Sequence, residues 1–309
     1  VTRRDFLHQT AGAAVVAPAL PFSSILVHEH ILVDFRGPGA PANAYDIDTV
    51  VKKVKPHLDA IYQLGCRRFL DCTPNFVGRA PKLLTKLSEL TGLDIWTNTG
   101  LYAARNYQLL PAFARTESAE QLARRWTLEW KNGVDGIKPK FVKIGVNRGP
   151  LGELDRKVVR AAALCSKETG LTVASHTGNG LAAVEQVDIW ASEKAELSKF
   201  VWVHAQTEKD HAFHERVGKA GAWVEFDGIS PTSTGWHVEC VRFMAERNLL
   251  SRVLVSQDAG YWRVGEPGGG QFRPYTSIYQ DFLPKLDTAW VRILMAENPI
   301  RAFGGGAPA

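Results

Sequence analysis

Short runs rich in β-branched and aromatic residues recur along most of the chain, at residues 25–33, 67–72, 94–99, 141–146, 172–177, 200–205, 222–229 and 252–258. Between them lie helix-like stretches at 49–64, 82–90, 118–132, 155–169, 180–196, 208–220 and 237–248, some followed by a glycine (Gly65, Gly170) suited to a left-handed C-cap. Strict alternation of strand and helix implies a parallel sheet, because parallel neighbours need a crossover between them. Eight such units in 309 residues fit one closed barrel of ~250 residues better than two doubly wound sheets. The predicted fold is therefore α/β, a single-domain (β/α)8 TIM barrel over residues 20–309. One stretch breaks the period: 259–280, which carries Gly265-Glu266-Pro267-Gly268-Gly269-Gly270 and reads as a long irregular loop after the eighth strand. A loop of that length in a compact domain is more often functional than idle.

Residues 1–19 are set apart from the barrel. Thr2-Arg3-Arg4-Asp5-Phe6-Leu7, an apolar run over 11–20 and a small-residue end at Ala17-Pro18-Ala19 have the layout of a signal peptide and resemble a twin-arginine signal. The expectation is a bacterial protein exported to the periplasm or beyond.

Composition removes several classes. With 45% hydrophobic and 22% charged residues the chain is globular, and no apolar stretch outside the N-terminus is long enough to span a bilayer. The net charge of +5 is scattered among acids, with no basic run that would track a phosphate backbone, so nucleic acid is not an expected partner. Four cysteines without Cys-x-x-Cys support neither a disulfide scaffold nor a thiolate metal site. No Gly-x-Gly-x-x-Gly opens a helix, which leaves a dinucleotide site without support.

Position singles out four of the nine histidines. His28 and His30 stand at i and i+2 on the first strand, so the pleat aims both to one face, here the barrel interior. His176 ends the fifth strand, His204 the sixth and Asp258 the eighth. In this architecture the C-terminal rim is where active sites are built, and imidazoles with a carboxylate suit Zn foremost, or Mn, Co or Fe. His8 falls in the signal, and His57, His211, His214 and His237 fall in helical segments; His211 and His214, three apart, read as a solvated helix face.

In Phe141-Val142-Lys143-Ile144-Gly145-Val146, alternation sends Val142 and Ile144 against the helices and turns Lys143 inward. An ammonium among metal cations is unfavourable. Addition of CO2 to the amine would convert it into an anionic carbamate able to bridge two metals. A cationic lysine facing substrate, or one turned to solvent, is the alternative.

With His28-x-His30, Lys143, His176, His204 and Asp258 in this order on strands 1, 4, 5, 6 and 8, the chain resembles the phosphotriesterase family, including its lactonases, within the amidohydrolase superfamily. Val27-His28-Glu29-His30-Ile31, Asn98-Thr99-Gly100-Leu101-Tyr102, Ser175-His176-Thr177 and Val253-Leu254-Val255-Ser256-Gln257-Asp258 carry the same texture. The resemblance implies a centre of two divalent metals, with His28, His30 and Asp258 on the more buried ion and His176 and His204 on the other. N-carboxylated Lys143 and a hydroxide would bridge them, the hydroxide attacking an ester while Asp258 takes its proton. Three departures stand out: Gly228 follows Asp227 where a His or Arg is common, Thr207 replaces an acid three residues after His204, and only residues 20–24 precede the first strand. The last implies a barrel floor less well covered, or one covered by a different packing partner.

Tyr102, just past the third strand, matches the lactonase-like branch and tilts the expected substrate toward a lactone or carboxyl ester. Tyr261, Trp262 and Phe272 read as an aromatic wall of the substrate pocket. Organophosphate triester hydrolysis at the same centre is the alternative activity, and a metal-loaded binding protein the alternative class. A small-molecule substrate and a homodimer complete the expectations.

Overall fold

The computed structural model of the protein describes residues 18–41 and 44–308, so most of the proposed signal, residues 1–17, lies outside the described residues. The strands are β1 (Ser24–Val33), β2 (Cys66–Asp71), β3 (Asp94–Trp96), β4 (Asn98–Thr99), β5 (Phe141–Gly145), β6 (Val173–His176), β7 (Phe200–Val203), β8 (Trp223–Phe226), β9 (Val253–Val255) and β10 (Gly260–Arg263). The helices are α1 (Ile47–Gln63), α2 (Pro81–Thr91), α3 (Phe113–Thr116), α4 (Ala119–Asn132), α5 (Glu153–Thr169), α6 (Gly180–Ser192), α7 (His211–Lys219), α8 (Thr234–Glu246), α9 (Thr288–Arg292) and α10 (Asn298–Phe303).

All named strands pair in parallel, in the orders β10-β1-β2-β3 and β4-β5-β6-β7-β8-β9. Only Thr97 separates β3 from β4, and the Asp258 N–H donates to the His28 carbonyl at 3.1 Å to tie the end of β9 to β1. The result is the (β/α)8 architecture, with its hydrogen-bond ladder in two segments. The third predicted strand is thus two pieces.

Two apolar layers result. Outer strand residues such as Leu26, Phe69, Val142 and Ile144 meet helix residues such as Val50, Leu58, Val158 and Val217. Inside the barrel, Ile25, Val27, Leu70, Phe141, Ala174, Val201, Trp223 and Leu254 form a separate plug beneath the rim. Period-2 alternation from Ile25 and Val27 would turn Glu29 inward. A bulge prevents this: Leu26 pairs with Phe69 but Glu29 with Asp71, so three residues of β1 advance against two of β2.

The floor has the different packing partner that was the second expectation: the other end of the chain. Ala302 joins the inner plug, with Ile300 and Phe303 packed against it. Thr172 Oγ1 donates to the Ala302 carbonyl at 2.5 Å, and Arg68 donates to the carbonyl of Gly306 at 2.9 Å.

The 259–280 segment is likewise more ordered than its sequence suggests. Its start is β10, which adds to β1 with Val33 opposite Arg263. Gly260 makes the contact possible: its φ is +97°, and a Cβ there would sit 1.7 Å from the His30 carbonyl oxygen.

Candidate metal centre

The bulge in β1 turns His28 and His30 onto the rim and leaves Glu29 facing outward, buried, among Ser256 Oγ (2.9 Å), the Gln257 N–H (3.0 Å) and the Ala259 N–H (2.8 Å). Lys143 of β5, only 2% exposed, brings its Nζ to 3.3 Å from His28 Nε2. His176 ends β6, and His204 follows β7 with its ring centroid 4.4 Å from that of His176 and 5.1 Å from that of His28. Asp258 Oδ1 lies 3.2 Å from His30 Nε2 and 3.6 Å from His28 Nε2. All six residues named from the sequence line one cavity of about 350 Å³.

Three of the four histidines are oriented from behind. His28 Nδ1 faces Glu225 Oε1 at 2.9 Å and Asp227 Oδ2 at 3.3 Å; His30 Nδ1 faces Thr73 Oγ1 at 2.7 Å; His204 Nδ1 faces Asp227 Oδ1 at 2.6 Å. A ring held through Nδ1 presents Nε2 to the cavity, the arrangement of a metal-ligating imidazole with its outer partner. The donor set fits a divalent ion: His28, His30 and Asp258 offer ligand atoms within 4.8 Å of one another. His28, His204 and Asp227 satisfy the same criterion, but there the carboxylate faces the Nδ1 atoms and acts as their orienter.

Protonation agrees with ligation at two of the imidazoles. Burial lowers His30 to about 4, and burial together with the charge of His204 drives His176 well down, so both are neutral with free lone pairs at neutral pH. For Asp258, burial works against the anion, but the His30 hydrogen bond and the charges of His28 and His204 hold its carboxyl far below the usual range. Burial and Lys143 depress His28, and nearby acidic groups, Glu225 and Asp227 among them, outweigh them to raise it.

The backbone is strained at the site. His204 (φ +67°), Asp258 (φ +49°) and Tyr261 (φ +75°) all occupy the left-handed region without being glycine, which costs roughly 1–2 kcal/mol per residue. At His204 the strain is answered by a hydrogen bond from its N–H to Asp227 Oδ2 at 2.9 Å.

Tyr102 lines the cavity, its hydroxyl 3.2 Å from the His176 ring nitrogens. Tyr261 also lines it and donates to Asp258 Oδ1. Trp262 does not. As the next residue on β10 it points the other way, buried in the outer layer against Gly269, and Phe272 joins that layer with its ring stacked on His57 at 4.8 Å. The aromatic wall predicted from three residues is therefore one tyrosine. His211 and His214 are not a solvated face either: His214 is fully buried, with Nε2 2.8 Å from the Ala205 carbonyl and Nδ1 3.0 Å from His211 Nδ1.

Sequence reading missed Glu225 as an orienter and gave Asp227 no such role, although the two are two apart within the predicted strand 222–229, the same signal that flagged His28 and His30. It also missed Arg105, Arg263 and Arg273, which line the cavity, Arg263 from the end of β10 and the other two from the segments after β4 and β10.

Comparison with known proteins gives a consistent result. The profile of the phosphotriesterase family matches residues 9–303. The "Phosphotriesterase homology protein" of Escherichia coli is 25% identical over 297 residues, covering 92% of this chain and 98% of its own. The "Aryldialkylphosphatase" of Saccharolobus solfataricus is 24% identical, with 90% of this chain and 94% of its own length covered. Among solved structures, a variant of a PTE-like lactonase from Deinococcus radiodurans superposes with a TM-score of 0.81 at 22% identity, covering 94% of this chain and 98% of its own.

Proposed function

Because the chain belongs to the phosphotriesterase family, and so to hydrolases that act on ester bonds, we propose that it is a binuclear metal hydrolase of lactones or carboxyl esters. The observation that carries this reading is the convergence of His28, His30, Lys143, His176, His204 and Asp258 on one cavity that also presents Tyr102. His28, His30 and Asp258 would hold the more buried ion, His176 and His204 the more exposed one, and Lys143 as a carbamate would bridge them. Such a pair, zinc foremost, would supply an acidified water and a Lewis acid for the ester carbonyl.

The chain's own groups do the rest. Asp258 stays ionised near the point of attack and is placed to accept the proton of the attacking water. The Tyr261 hydroxyl, donating to Asp258 Oδ1, fixes that carboxylate. Asp227 keeps the His204 ring turned with Nε2 inward. A phosphotriester is the second reading, favoured by the aryldialkylphosphatase among the relatives.

The test is turnover of metal-loaded protein on a lactone, an aryl carboxyl ester and a phosphotriester. Preference for the first two is expected; phosphotriester turnover alone selects the second reading, and no turnover of any defeats both. For the bridge, Lys143→Ala should lose metal and rate, with acetate restoring part of each. Metal binding unchanged by that substitution would remove the carbamate.

Export by the twin-arginine route is part of the same proposal, supported by Arg3-Arg4 and the apolar run after it. A reporter fused after Leu20 should reach the periplasm with Arg3 and Arg4 in place and fail to with both changed to lysine. A homodimer is proposed as well, and light scattering of the purified protein checks it.

A further inference from the structure

The cavity carries more positive charge than ester hydrolysis needs. Three guanidinium groups line it, those of Arg105, Arg263 and Arg273, against Asp258 as the one lining carboxylate, which is already engaged by His30 and Tyr261. Among the described residues, neither Arg105 nor Arg273 has a carboxylate within 4.0 Å, and Arg263 has only Glu266, 3.8 Å away and half exposed. A pair so exposed neutralises little.

Their positions are built. Arg273 donates to the carbonyls of Asp258 (3.0 Å) and Gln257 (3.3 Å), which fixes its charge beside the metal-facing carboxylate. Arg263 is two residues beyond Tyr261 on β10, on the same face and about 7 Å farther along the strand. Arg105 lines the cavity from the segment after β4, its guanidinium stacked 4.1 Å over Phe35, a ring that also lines the cavity. Like charges gathered in a concave site repel one another and focus a positive potential outward. A neutral lactone or triester would leave them unmatched.

We infer that the substrate carries an oxyanion, a carboxylate or a phosphate monoester, at the end remote from the bond that is cleaved, held between Arg105 and Arg263. The inference rests on the ester-hydrolase reading and deepens it. Guanidinium suits either anion through paired N–H donors.

Three aryl acetates with one scissile bond test it: 4-acetoxybenzoate, 4-acetoxyphenyl phosphate, and the neutral methyl 4-acetoxybenzoate. In each, water adds across the acetyl ester, releasing acetate, the phenol and a proton. At least one anionic substrate should exceed the methyl ester by about tenfold or more in kcat/KM, chiefly through KM, the size of one charge-assisted hydrogen bond. The preferred anion identifies the source, and the preference should shrink as salt is raised. Arg105→Met and Arg263→Met should lower kcat/KM for the preferred anionic ester several-fold more than for the methyl ester and so remove the preference, with thermal melting and metal content as the controls for folding. Equal or faster turnover of the methyl ester, or arginine variants that slow all three alike, would overturn the inference while leaving the ester hydrolase intact. If none is hydrolysed, the ester-hydrolase reading is judged by the lactone and phosphotriester assays above, and calorimetry with 4-hydroxybenzoate, phenyl phosphate and methyl 4-hydroxybenzoate still decides the charge. Tighter binding of an anion, lost in the arginine variants, supports it, and equal binding of all three overturns it.

Discussion

The carboxylate of Glu29 accepts the backbone N–H of Ala259 at 2.8 Å, so the residue between the two inward histidines of β1 anchors the residue that follows Asp258. Ser256 Oγ and the Gln257 N–H share the other oxygen. Two ligand-bearing segments, distant in sequence, are thereby locked at a common height. Glu29→Gln replaces an acceptor-only group by one whose NH2 must face an N–H donor. Loss of about 1–3 kcal/mol of stability is expected from the unmatched buried groups, with a lower kcat as Asp258 loosens. Denaturant titration and steady-state rates check it, and wild-type values in both would show that Glu29 anchors nothing.

Asp227 gathers the His204 N–H, His204 Nδ1, Gln206 Nε2 (2.9 Å) and the edge of His28 on one buried carboxylate. Asp227→Asn keeps the shape but weakens the orientation of both rings. Metal affinity should fall by about 10–100-fold, more at the site of His204 than at that of His28, because the His204 contact is the shorter. Competition with a chelating dye measures this in two phases. A uniform loss across both phases would mean that Asp227 supports the whole rim.

Tyr102 lies directly over Gly145, where a Cβ would come within 2.5 Å of its ring. Gly145→Ala must therefore displace the ring from beside His176. A several-fold rise in KM is expected with metal content unchanged, read from kinetics and elemental analysis together. Unaltered KM would show that the ring position does not bear on substrate binding.

His214 sets an acid limit on stability. Burial lowers it from 6.5 to about 4 in the folded protein, while the unfolded chain keeps the ordinary value. The unfolded state then binds the proton first, so this contribution is complete above pH 6.5 and is lost as pH falls toward 4. The gap of 6.5 minus about 4, or about 2.5 units, corresponds to about 3 kcal/mol. His214→Phe should be less stable at neutral pH yet show a shallower decline between pH 6.5 and 4 in urea titrations. Parallel declines would place the acid sensitivity elsewhere.

The barrel and its six converging residues were legible because period-2 and period-3.6 patterns are local. Lys143 is the clearest instance, since Val142 and Ile144 on either side fix its direction. His28 and His30 were placed on the inner face by an alternation that ignores the bulge after Leu26; their mutual spacing survived because the extra residue falls ahead of both. Trp262 and Phe272 were misread because an aromatic, glycine-rich segment gives no local sign that a strand will add to β1; that pairing depends on a partner more than 220 residues away. His214 was misread as solvated because burial of a helix face depends on what packs against it, here Trp202 and Phe226. Which segment covers the floor was illegible for the same reason: its cover comes from the opposite terminus.

On β10 the cavity and the outer core are one position apart: Tyr261 faces Asp258 and Trp262 faces Gly269. Insertion or deletion of a single residue between Gly260 and Tyr261 would exchange the two sides of the strand. An indole without an acidic hydroxyl would then stand beside the carboxylate, and a phenol would be driven into an apolar layer with nothing to receive it. Variation in substrate range along this segment is thus confined to replacement of side chains, or to changes in length beyond Val264, whose N–H makes the last bond to β1, to the Val33 carbonyl at 2.9 Å.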